Sequence, residues 1–146
     1  EGDSLVLVSI DNISVSENYN GTTWHVCKSG SNINGDGSYD NPFESIMYAI
    51  NAAYSDDTVY VAAGTYFENV NIDKNLVFLG SGIQQTIIDA ENNGNGIDAQ
   101  QNNNITVYIE GITVTNASIG IKVNTGGPCC SSSVNATIKN SYNCFR

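Results

Sequence analysis

The chain has 146 residues, ample for one domain and marginal for two. Its formal net charge is −10 with only 5 Lys and Arg, so nucleic acid is excluded as a partner by like-charge repulsion. No apolar run approaches the roughly 20 residues of a membrane-spanning helix, and 4 Cys with few cations point to an extracellular or cell-surface home.

In chain order, Ser4–Ser16 alternates apolar residues at Leu5, Leu7, Ile10, Ile13 and Val15. That pattern predicts a strand with a bulge near Asp11-Asn12. Residues 1–23 therefore read as an N-terminal strand extension, laid on the chain's own body or lent to a neighbouring subunit. Residues 24–146 read as the main domain, opening at Trp24–Cys27. The loop Ser29–Asn41 is dense in Gly, Asn and Asp. Its Asn32, Asn34, Asp36 and Asp40 offer oxygens for a weak calcium candidate, while Asx-turns account for the same residues without metal. No other cofactor is expected.

Asn41-Pro42-Phe43-Glu44 reads as a helix start, with Asn41 as N-cap, Pro42 at the first position and Glu44 as the acidic partner. The predicted helix, near 42–54, carries Ile46, Ala49, Ile50 and Ala53 on one stripe and suits a lid. Beyond it, Thr58–Gly80 holds three strand-length apolar runs, Val59–Val61, Val70–Ile72 and Leu76–Leu79. The breaks between them are not hairpin dipeptides, so the strands should turn corners and continue, as in a solenoid.

Asn34-Gly35-Asp36-Gly37-Ser38, Asn41-Pro42-Phe43, Ala49-Ile50-Asn51-Ala52-Ala53, Asp57-Thr58-Val59-Tyr60-Val61, Gly64-Thr65-Tyr66, Glu68-Asn69-Val70 and Thr86-Ile87-Ile88-Asp89 stand in continuous order. Together they resemble the opening of right-handed parallel β-helix, pectin-lyase-like proteins, including many microbial surface proteins. The resemblance implies an all-β, right-handed parallel β-helix; that fold hosts lyases, hydrolases, adhesins and structural coats alike.

The later chain fits the same architecture. Thr86–Ala90 and Ile97–Ala99 flank a polar tip at Asn92–Gly96, and the run from Val107 to Thr115 resembles the run from Ala136 to Tyr142. About three to four coils follow from that repeat. The inward set is expected to be Val59, Val61, Val70, Ile72, Leu76, Phe78, Ile87, Val107, Ile109, Ile121 and Ile138.

For function, the residues favour no catalyst. Lys28, Lys74, Lys122, Lys139 and Arg146 are scattered. A lyase needs clustered cations around a uronate, and a hydrolase needs carboxylates converging on one bond. Asp89 and Asp98 are the one pair without evident turn duty, and His25 reads as structural. With a lid before the first coil and only Cys144-Phe145-Arg146 after the last, the expectation is a non-enzymatic structural protein. Its β-helix bodies would stack head to tail, with itself as partner, into a filament, sheath or surface layer. The alternatives are a carbohydrate-binding adhesin module, with Tyr39, Tyr54, Tyr66 and Tyr108 stacking on surface glycans, a fragment of a larger surface protein, and a polysaccharide lyase or hydrolase.

Two covalent features complete the reading. Asn12, Asn20, Asn104, Asn116 and Asn135 stand in Asn-x-Ser/Thr glycosylation triplets. Cys129 and Cys130 are adjacent, and a bond between neighbours would strain the ring. Cys144 is therefore expected to pair with one of them and Cys27 with the other across stacked subunits. Three coils at about 4.8 Å each hold the ends some 15 Å apart, beyond the roughly 7 Å reach of a bridge.

Overall fold

Short β-branched and aromatic runs punctuated by Gly, Asn and Asp give a chain of brief strands that bend repeatedly and do not reverse. The computed structural model describes residues 21–99, 105–123 and 135–139, with residue 123 and the last segment as backbone. The elements are β1 (Thr23–Val26), α1 (Ile46–Ala52), β2 (Asp57–Val61), β3 (Gly64–Phe67), β4 (Val70–Ile72), β5 (Leu76–Gly80), β6 (Thr86–Asp89), β7 (Asn95–Ala99), β8 (Thr106–Glu110), β9 (Thr113–Thr115), β10 (Ile119–Val123) and β11 (Asn135–Lys139).

From β2 onward the strands enter three sheets in strict rotation. Sheet A runs β1-β2-β5-β8-β11, sheet B β3-β6-β9 and sheet C β4-β7-β10. Every pairing between these strands is parallel. Strands that return to the same sheet every third element, always parallel, define a parallel β-helix. The repeat read from the sequence is in register, since Val107 pairs with Ala136 and Ile109 with Ile138.

Alternation along each strand sends one row of side chains into the shared interior. Val59, Val61, Val70, Ile72, Leu76, Phe78, Val107, Ile109 and Ile121 are all buried there, as the sequence predicts. Ile87 is a correction, because it faces outward between Thr65 and Thr113. Its neighbour Thr86 takes the inward place, fully buried, and donates its hydroxyl to Val61 O at 3.1 Å. Strict alternation then puts Ile88 in the core and Ile87 out. The Ile138 side chain lies outside the described residues.

A second correction concerns Gly64-Thr65-Tyr66-Phe67, read as part of a break but in fact strand β3, with Tyr66 wholly buried and its hydroxyl donating to Ala62 O at 2.9 Å. The predicted helix start also moves. Phe43 N donates to His25 O, and Cys27 N to Phe43 O, so Pro42-Phe43 runs extended beside β1. Helix α1 begins only after Ser45, whose hydroxyl accepts from Tyr48 N.

The lid itself is as expected. Ile46, Ala49, Ile50 and Ala53 are buried in the same core as the strands, and α1 packs against β1, β2 and β4. Two side chains from the first coil fasten it. Glu68 accepts from Ile46 N (2.9 Å), Met47 N (3.0 Å) and the Ser45 hydroxyl (2.8 Å), and Lys74 donates to the carbonyls of Ile50 and Ala53, both at 3.0 Å. A carboxylate at the amino end and an ammonium at the carboxyl end satisfy the orphan groups of a short helix.

Residues 1–20 of the N-terminal extension, with Asn12 and Asn20, lie outside the described residues, as do Asn104, Cys129, Cys130 and Cys144.

Candidate functional site

Successive coils place residues of the same register directly above one another, so an exterior site on this fold is a short ladder of side chains. On sheet C, Asn71, Asp98 and Lys122 form such a ladder. Asp98 Oδ2 accepts from Asn95 Nδ2 at 2.9 Å and lies 3.5 Å from Lys122 Nζ. Its other oxygen is shut away from solvent without a hydrogen-bond partner. Asp98 is therefore an orienting group: it fixes an ammonium, itself about one-third exposed, on the outer face of an acidic molecule.

Asp89 does not join it. It lies on sheet B, where both carboxylate oxygens accept from Asn116 Nδ2 at 3.0 and 2.9 Å and one also accepts from Glu91 N. Asp89 thus ties the corner after β6 to the corner after β9. The two carboxylates sit on different sheets and cannot converge on one bond.

A cleft of about 320 Å³ opens at the capped end, lined by Lys28, Asn32, Glu44, Ser45, Phe67 and Glu68. Phe67 is more than half exposed. Lys28 Nζ stands 5.3 Å from the centre of the Tyr66 ring, a cation–π distance. Asn32 Oδ1 accepts from Glu44 N (3.0 Å) and Ser45 N (3.1 Å), which pins the loop to the helix start.

Of the four residues offered to calcium, Asn32 and Asp36 each use a side-chain oxygen on backbone N–H groups. Asp36 Oδ1 accepts from Ser38 N at 2.9 Å, and hydrogen bonding first by the Ser38 hydroxyl and then by that N–H holds its carboxyl below the usual range. Asn34 O takes the Asn41 amide at 2.9 Å. Among the described residues no group of three or more His, Cys, Asp or Glu could hold a metal.

Of the tyrosines expected to stack on sugars, Tyr39 and Tyr54 are exposed, whereas Tyr66 and Tyr108 are buried. The Tyr108 hydroxyl donates to Glu110. Burial, reinforced by that carboxylate, pushes the Tyr108 phenol up to about 12. His25 is held between Tyr39 and Tyr60 at 5.5 and 5.7 Å, and partial burial lowers its imidazole below the ordinary range. Cys27, the one cysteine among the described residues, has its sulfur in contact with the Ser29 hydroxyl at 3.2 Å, a contact that lowers its pKa.

Glu68, Phe67, Asn71 and Lys122 carry the candidate surfaces, and none was singled out for such a role from sequence. Only Glu68 left a trace, as an acidic residue closing an otherwise apolar strand, and its helix partner lies 22 residues away.

A three-sheet parallel β-helix with a helix-capped end and polar exterior ladders is the class this geometry defines. Comparison with known proteins is specific: a family model described as Pectinesterase matches residues 31–145. The chain belongs to the pectinesterase family. A curated relative, Pectinesterase 2 of Citrus sinensis, is 36% identical over 86 residues, which cover 58% of this chain and 16% of that protein. Among solved structures, a rhamnogalacturonan lyase aligns with 18% identity and a TM-score of 0.41, over 66% of this chain and 28% of its own.

The family membership overturns the expectation of a non-enzymatic structural subunit. That expectation rested on scattered cations, unclustered carboxylates and a lid at one end of the coils only, tests with no force for a stretch that matches 16% of a curated relative's length. Among the described residues, no helix is long and apolar enough to cross a membrane.

Proposed function

We propose that the protein is an extracellular carboxylic-ester hydrolase acting on a pectin-type polysaccharide, with the described coils forming the rigid, lidded end of its β-helix. The family match over residues 31–145 carries this reading. The acidic composition and the glycosylation triplets agree with a secreted protein.

Ester hydrolysis adds water to the ester carbonyl through a tetrahedral oxyanion and expels an alcohol, leaving a uronate carboxylate. Such a reaction needs an activated oxygen nucleophile and fixed positive charge or N–H donors where the oxyanion develops. In this chain, Lys122 meets the second need, because Asp98, itself held by Asn95, fixes the ammonium before any substrate arrives. Asp98, with one oxygen buried and the other engaged, is a positioning residue. Asn71 continues the ladder toward the lid and offers an exposed amide to sugar hydroxyls.

The test is titration of the carboxyl groups released from highly methyl-esterified pectin by the whole protein. Steady release is expected, with a Lys122→Met variant slower by roughly tenfold or more, the scale of one lost oxyanion contact. An Asp98→Asn variant should shift the pH profile of any remaining activity, because the ammonium loses its fixed counter-charge. No release by folded protein overturns the esterase reading; release unaffected by K122M removes Lys122 from it.

A further inference from the structure

The cleft at the capped end shares no residue with the ladder on sheet C, and its lining is unusual for a surface that only joins a loop to a helix. One wall is an exposed aromatic ring, Phe67, at the end of β3. Another is the Lys28 ammonium, which forms no ion pair among the described residues and rests over the Tyr66 ring. In a molecule of net charge −10, a cation left without a carboxylate partner stands out.

Between these walls lie the Glu44 carboxylate and the Asn32 amide. Asn32 spends its oxygen on two backbone N–H groups, so its nitrogen is the end that donates. Glu68 does not compete for Lys28, since both its oxygens are committed to the start of α1. The helix start is thus already occupied and offers nothing to an anion. The Asn32, Ser45 and Glu68 side chains are fixed by hydrogen bonds, and a cleft preorganised on that side loses little ordering entropy there when it binds.

An aromatic face suits the C–H face of a pyranose ring, a lone ammonium suits a carboxylate, and a carboxylate beside an amide suits ring hydroxyls. We propose that this cleft is a subsite for one acidic sugar unit of a polyuronate chain, with the sugar carboxylate on Lys28, the ring against Phe67 and hydroxyls on Glu44 and Asn32. It takes the choice of polysaccharide from the esterase reading, but its geometry stands apart from that reading. A cleft of about 320 Å³ accommodates a single ring with its substituents. It would hold the free-acid form of the polymer, whereas neutral, esterified units gain nothing from Lys28.

The experiment is calorimetric titration of the whole protein with short oligogalacturonates and with the same oligomers reduced to neutral sugars. Wild type should bind the acidic oligomers more tightly than the neutral ones. Lys28→Gln and Phe67→Ala should each weaken acidic binding by roughly tenfold, the equivalent of one aromatic or charge contact. Lys28→Gln should erase the preference for the acidic form, and Tyr54→Ser, at an exposed tyrosine elsewhere, should change nothing. Both tested side chains are on the surface, and a circular dichroism melt checks that each variant folds. Equal binding of acidic and neutral oligomers, or affinities within twofold of wild type for both variants, overturns the subsite. Ester hydrolysis by the same samples is scored separately: binding that depends on Lys28 and Phe67 without hydrolysis would retain the subsite and reject the esterase. Hydrolysis with binding indifferent to both residues would do the reverse.

Discussion

Asp57 is one of the few polar side chains buried outright, and it gathers three segments. Its oxygens accept from Thr22 N, Trp24 Nε1 and Tyr54 N, each at 2.8 Å. The carboxylate therefore ties the entry to β1 and the exit of α1 to the start of β2. Replacing it by Ala strands three donors, and we expect a loss of about 3 kcal/mol in urea unfolding, the upper end for unsatisfied buried groups. Asp57→Asn should cost less, since its amide oxygen still accepts. A loss under about 0.5 kcal/mol for the Ala variant would place Asp57 among ordinary surface residues. Tyr108 gives a pH signature at the same scale. Its folded pKa of about 12 lies above the ordinary phenol value of 10.0. The stabilisation this shift represents is thus complete below pH 10 and lost as pH rises toward 12. Tyr108→Phe should flatten the alkaline fall in melting temperature across that window, and an unchanged fall would assign it to other groups. Asn116 carries a different expectation. The nitrogen that a glycan would occupy donates to both Asp89 oxygens, and a glycosylated amide keeps one N–H, so sugar at Asn116 should cost one of those two bonds and native material should carry it there at partial occupancy. Peptide mapping decides it.

Among the elements, α1 is held by its ends as much as by its face. A seven-residue helix is too short to persist on propensity, and the side chains that cap it come from the coil it covers. Glu68→Ala should therefore cost about 1–3 kcal/mol, the range for a lost cap with buried donors left unmet. It should also raise hydrogen exchange at Ile46 and Met47 selectively, and uniform exchange across all strands would contradict a local role. This explains why the helix start was misread. Asn41-Pro42-Phe43-Glu44 has the local grammar of a cap, but Phe43 is recruited by backbone bonds to His25 and Cys27, and no local pattern reports that competition. Coil stacking leaves its own mark where β5 and β8 end. A Cβ on Gly80 would sit 2.3 Å from Gly111 O, and Gly111 has φ +74°. Gly111→Ala meets both a backbone clash and a left-handed conformation, so it should destabilise by about 1–3 kcal/mol.

At the scale of the whole molecule, most of the core was legible because one periodicity governs it. Alternation within strands and the repeat between Val107 and Ala136 follow from parallel stacking, and Phe78 is wholly buried as that pattern requires. Phe78→Ala should cost roughly 3–5 kcal/mol. The exceptions share a cause. Ile87 lost its inward place to Thr86, whose hydroxyl found a carbonyl partner inside, and Tyr66 went inward because Ala62 O receives its hydroxyl. Hydropathy alone does not record such partners. The candidate surfaces were less legible still: Lys122 meets Asp98, and Phe67 and Lys28 come to line one cleft, only after the chain has wound back on itself.

If this β-helix belongs, as we propose, to an enzyme that hydrolyses esters on a pectin-type polysaccharide, the alcohol released is the most direct sign of it. Methanol should accumulate from highly methyl-esterified pectin in proportion to the carboxyl groups titrated, at a rate linear in the concentration of folded protein. Folded protein that binds the polymer and releases no methanol would contradict it.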